Sequence, residues 1–140
     1  MILEILLFIF FWFTMCGLWH ETMHLLECER QDTASSYMWI EFNPLPSMHY
    51  TWVDDKNPEL RRLAGGLYTS LVCFTLSILL NPVWNYLGWL FITLGWTQLM
   101  YGVFEMKYIN TLSSKQYFIG RYFIYVVTVL VNLLIWYVIL

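Results

Sequence analysis

Long apolar runs separated by short polar ones dominate the chain. Ile2 to Trp19 is interrupted by a single acid, Glu4, while 63–80, 84–103 and 122–140 carry no charge at all. A bilayer core of about 30 Å is crossed by about 20 apolar residues of helix. The pattern therefore predicts an all-α integral membrane protein, a four-transmembrane-helix bundle with spans of about 2–26, 60–81, 84–106 and 118–140. These form one membrane domain over 1–140. The first run has no basic segment before it and no small-x-small cleavage site after it, so it reads as a retained helix and not as a signal peptide.

Residues 27–59 are the one stretch with room for other structure. Gln31 to Ser36 reads as a polar loop, and Tyr37–Phe42 and Met48–Val53 are rich in aromatic and β-branched residues. They predict a small cytoplasmic, membrane-associated β-hairpin, with 43–47 (Asn-Pro-Leu-Pro-Ser) as a five-residue loop. Asn57-Pro58-Glu59 has the order of an N-cap, an N1 proline and a first-turn acid, and predicts the start of the second span.

Charge orients this arrangement. Arg30, Lys56, Arg61 and Arg62 lie between the first and second apolar runs, and Lys107, Lys115 and Arg121 between the third and fourth. Four spans put both groups on one side, and the positive-inside rule makes that side cytoplasmic, with both termini outside. Composition agrees: 59% of residues are hydrophobic, only 12% are charged and the net charge is −3. That balance excludes a soluble enzyme and a nucleic-acid binder, and makes lipid the main surrounding partner.

The chemistry is concentrated at the end of the first span. His20-Glu21-Thr22-Met23-His24 is an H-E-x-x-H motif. On a helix, two His four residues apart share a face and can ligate one Zn2+. Glu21 beside them can then serve as general base towards an activated water. A third ligand is required. Glu105, the only acid within the last three spans, is the first candidate. His20 lies about 27 Å along from Ile2, and Glu105 about 32 Å along from Trp84, on helices running the same way, so both reach similar depth. Glu105 could instead pair with Lys107. His49 is the runner-up ligand or a stabiliser of the tetrahedral oxyanion, and Glu27 a third option. Cys16, His20, His24 and Cys28 form an i, i+4, i+8, i+12 stripe that raises a soft-metal Cys/His site. The stripe drifts by about 40° per step, which takes the two Cys roughly 120° apart. Gly65-Gly66 allows close approach of a neighbouring helix.

This order of features resembles the core of the site-2 protease family of intramembrane zinc metallopeptidases. The resemblance rests on His20-Glu21-x-x-His24 near the cytoplasmic end of a membrane helix, a hairpin, and Arg62-Leu63-Ala64-Gly65-Gly66-Leu67 opening the next helix. It covers about Phe13 to Ser70. It implies His20 and His24 as zinc ligands, Glu21 as general base, and a third ligand from a later helix, where the family has Asp. Gly66 stands where that family has Pro and Thr69 where it usually has Asn. No Asp-Gly motif follows the third span, so Glu105 would replace the Asp.

The expected function is an integral-membrane zinc metallopeptidase with one Zn2+ per chain, acting on a membrane-protein or peptide substrate near the cytoplasmic face. The alternative is a non-catalytic metal- or haem-binding membrane protein, or a small subunit of a membrane complex.

Overall fold

The computed structural model describes residues 2–31, 35–42, 46–52 and 56–139, with side chains described outside 32–55 and for residues up to 138. Helix α1 (Ile2–Phe13), a π-helical segment (Thr14–Trp19) and helix α2 (His20–Arg30) run on without a break. Strands β1 (Ser35–Phe42) and β2 (Pro46–Trp52) follow, then α3 (Pro58–Leu80), α4 (Asn85–Tyr108) and α5 (Ser114–Ile139). Four helices, Ile2–Arg30, Pro58–Leu80, Asn85–Tyr108 and Ser114–Val138, are long and apolar enough to cross a membrane.

The boundaries move slightly from those expected, for local reasons. The first helix continues to Arg30 because the Arg30 guanidinium binds Glu27 one turn back, at 2.6 and 2.8 Å. Helix α3 starts at Pro58, where the Asn57 side chain accepts the Leu60 N–H at 3.0 Å, the expected N-cap. The backbones of β1 and β2 pair antiparallel, with Trp39 opposite His49 and an irregular register between Ser35 and Met38. Strand β2 opens at Pro46, inside the segment expected to be loop. Proline is tolerated at the first residue of a strand, where its missing N–H costs nothing. Val53, the last residue expected in the second strand, lies outside the described residues.

The surface is apolar and the interior is comparatively polar. Leu71, Ile78, Val83, Phe123, Leu134 and Tyr137 face outward, while His20, Glu27, Thr69, Ser70 and Gln98 are buried with the aromatic and aliphatic core. Helix α4 is the most enclosed of the four. It crosses α3 glycine against glycine: a methyl added to Gly66 would meet Gly102 Cα at 2.5 Å. No side chain separates the two backbones there, and this close approach brings Gly65, Gln98 and Glu105 to one point beside α2.

Candidate metal centre

His20 and His24 lie one turn apart on the first two turns of α2, and both are buried. Glu105 reaches them from the last turn of α4. The His20 and His24 Nε2 atoms are 3.1 Å apart, and Glu105 Oε2 is 3.0 Å from the first and 3.3 Å from the second. A tetrahedral zinc ion at about 2.0–2.1 Å from each ligand would set the ligand atoms roughly 3.3–3.4 Å apart. The observed triangle is one face of such a tetrahedron, contracted by a few tenths of an ångström.

Hydrogen bonds on the far side of each ring define the chemistry. His24 Nδ1 donates to the Arg61 carbonyl at 2.8 Å, and His20 Nδ1 to Gln98 Oε1 at 2.6 Å. With the ring protons on Nδ1, both neutral imidazoles turn an Nε2 lone pair towards the other and towards a carboxylate oxygen. Three acceptors at this spacing repel unless a cation lies among them. A proton bridges one pair at a time, whereas a metal ion serves all three. Outer partners of this kind also hold ligating imidazoles in place in metal sites generally.

Two further observations fit an ion at this point. A methyl on Gly65 would stand 2.7 Å from His20 Nε2 and closer still to His24 Nε2, so glycine leaves open the space that the two nitrogens face. Glu105 is fixed through its other oxygen, which accepts from Tyr117 OH at 2.8 Å. The Tyr117 hydroxyl, its proton so used, accepts from Tyr101 OH at 3.1 Å. Tyr101 in turn packs on His20, ring centroids 5.0 Å apart.

The remaining expected residues fall as follows. Glu21 is half-buried next to the triad and interacts electrostatically with His20, His24, Glu105 and Arg121. Its carboxylate makes no hydrogen bond among the described residues. Lys107 is exposed and is not the partner of Glu105, because position 107 turns away from the helix face that holds position 105. Glu27 is not a ligand: its two oxygens are taken up by Arg30, by Gln31 Nε2 at 2.8 Å and by Tyr68 OH at 2.6 Å. The Cys/His stripe does not converge. Cys28 Sγ donates to the His24 carbonyl at 2.8 Å, and among the described residues the metal-competent group consists of His20, His24 and Glu105. His49 lies on β2, and its side chain is outside the described residues.

Gln98, Tyr117, Arg121 and the role of Gly65 escaped the sequence reading. A signal was present on α5, where Tyr117, Arg121, Tyr125, Thr128 and Asn132 make a polar stripe at helical spacing through an apolar run. The class defined here is a buried two-histidine, one-glutamate group inside a bundle of four long apolar helices. Neither a protein-family model, nor a curated protein, nor a solved structure matches this chain.

Proposed function

We propose that this protein is an integral-membrane zinc metallopeptidase, with one Zn2+ per chain held by His20, His24 and Glu105. The observation that carries the reading is the geometry of the triangle: His20 Nε2, His24 Nε2 and Glu105 Oε2 lie within 3.0–3.3 Å of one another, with the two Nδ1 atoms turned outward to Gln98 Oε1 and the Arg61 carbonyl. Zinc at such a site polarises a carbonyl and brings the pKa of water down towards about 7. The Glu21 carboxylate, one residue from the first ligand and with no hydrogen bond among the described residues, would act as general base towards the attacking water. The same carboxyl group would return that proton to the leaving amine.

In this reading the four helices span the membrane with both termini outside, and the motif lies near the cytoplasmic face where all seven Lys and Arg gather. The hairpin is membrane-associated on that side and presents an edge to which an extended substrate adds as a strand. Such a protein would be a minimal relative of the site-2 protease family.

The test combines elemental analysis with peptide hydrolysis followed by mass spectrometry on the detergent-purified protein. The wild type should carry about one zinc per chain and cleave. His24→Ala should lose both properties, and Glu21→Gln should keep the zinc and lose turnover. An active Glu21→Gln protein, or a wild type that takes up no zinc when it is supplied, overturns the reading.

A further inference from the structure

Arg121 is the one arginine well inside a long apolar helix, and no ligand role has yet been given to it. Its guanidinium carbon lies 5.5 Å from the ring centroid of Tyr101 and 5.8 Å from that of Tyr125. Its Nε is buried with no hydrogen-bond partner, and no carboxylate is within ion-pair distance of it among the described residues. Arg30, by contrast, is engaged at both Nε and Nη2 by Glu27. Tyr101, Tyr125 and, from further off, the Glu105 carboxylate partly compensate Arg121, but a buried arginine with no adjacent carboxylate is costly, and such residues mark sites of function.

Arg121 also lines a cavity of about 240 Å3 with Tyr117, Ser114, Phe118, Leu112 and Ile109. The last two belong to the α4–α5 connection, on the side of the molecule that carries the Lys and Arg residues. The inner wall of the cavity is tied to the metal centre through Tyr117, which binds Glu105. A single ring, Tyr101, separates Arg121 from His20, with its centroid 5.0 Å from that of the imidazole. The interval is no more than about three residues of extended chain at roughly 3.3–3.6 Å each.

Charge completes the argument. Glu21 and Glu105 contribute two negative charges and Arg121 one positive, so a divalent ion leaves the site one positive charge in excess. A planar guanidinium with an unused N–H matches a carboxylate in shape as well as in sign.

We infer that the cavity beneath the α4–α5 connection is a carboxylate subsite anchored by Arg121, which holds a peptide by a carboxylate no more than about three residues from the metal centre. The inference rests on the metallopeptidase reading. The carboxylate comes either from the chain end of the peptide or from an Asp or Glu side chain near it.

Binding separates these sources without relying on turnover. Three dye-labelled hexapeptides are titrated by fluorescence anisotropy into the zinc-loaded Glu21→Gln protein in detergent: one with a free C-terminus, its C-terminal amide, and an amide ending in Glu. The free acid should bind on the order of tenfold or more tightly than the plain amide. Equal binding of the Glu-ended amide and the acid assigns the site to side-chain carboxylates; binding of the acid alone assigns it to chain ends. Adding Arg121→Met should bring acid and amide to parity with zinc content unchanged, and Arg121→Lys, which keeps the charge without the fork, should retain part of the preference. Should the Met variant not fold, the wild-type and Lys pair still decides. Equal affinity of acid and plain amide for the parent protein, or a preference that survives Arg121→Met, overturns the subsite. A wild type that cleaves nothing yet keeps the acid preference removes the peptidase reading and leaves the subsite standing; cleavage without that preference does the reverse.

Discussion

Two glutamates, Glu27 and Glu105, are both buried, both near the end of a helix, and both touch the α2–α3–α4 face of the molecule. Their surroundings are opposite. The Glu27 oxygens face only donors: the Arg30 fork, the Gln31 amide and the Tyr68 hydroxyl. Gln31 also exchanges hydrogen bonds with the Asn57 backbone, so the cluster ties the end of α2 to the start of α3. Among the described residues Glu105 accepts from Tyr117 on one oxygen, while its other oxygen faces the Nε2 atoms of two imidazoles whose Nδ1 atoms turn to Gln98 and the Arg61 carbonyl. A carboxylate surrounded by donors is a finished structural bracket. A carboxylate facing two imidazole nitrogens is a group that could hold a metal ion.

The contrast can be broken most severely at Gly65. Gly65→Ala puts a methyl where the two Nε2 atoms converge, so bound zinc should fall to background by elemental analysis while helix content by circular dichroism stays unchanged. Retention of a full zinc equivalent would place the ion elsewhere. Exchanging the acids tests the comparison directly. Glu105→Gln should lose the metal. Glu27→Gln should keep it and instead lose about 2 kcal/mol of stability, because hydrogen bonds to a charged group become ordinary ones. Thermal unfolding of zinc-loaded samples, with metal content measured in parallel, separates the two effects, and a Glu27→Gln protein without zinc would undo the distinction. The smallest expected effect is at Gln98. Gln98→Leu removes the acceptor that holds the His20 ring proton outward, and should weaken zinc binding roughly 10–100-fold in a chelator competition without abolishing it.

The parts of this architecture that were legible beforehand are those that follow from one helix at a time. The four apolar runs, the N-cap at Asn57 and the shared face of His20 and His24 are all local consequences of periodicity and capping. Glu105 was reachable because acids are so scarce in the last three spans that depth alone singled it out. What stayed hidden depends on how helices meet. Gly65 read as a generic small residue, and only the α3–α4 crossing at Gly66 and Gly102 turns it towards the imidazoles instead of towards a neighbouring backbone. Gln98 looked like an ordinary polar residue until α4 was set beside α2. Glu27 carried its own disproof in Arg30 three residues on, a spacing at which opposite charges meet on a helix.

The π-helical segment Thr14–Trp19 has no Pro to announce it, and its consequence reaches beyond its own six residues. A π turn closes on the fifth residue back, where an α turn closes on the fourth, so it accommodates one amino acid more. Everything after it is rotated by about 100° relative to everything before it. Before it lie Phe11 and Trp12, packed edge-to-face against Phe91 of α4 and Tyr125 of α5; after it lie the two imidazoles. The first span thus behaves as two helices joined by a phase shift, one half placed by aromatic packing and the other by ligand geometry. Loss of a single residue between 14 and 19 would restore an unbroken α-helix and force those two placements to compete.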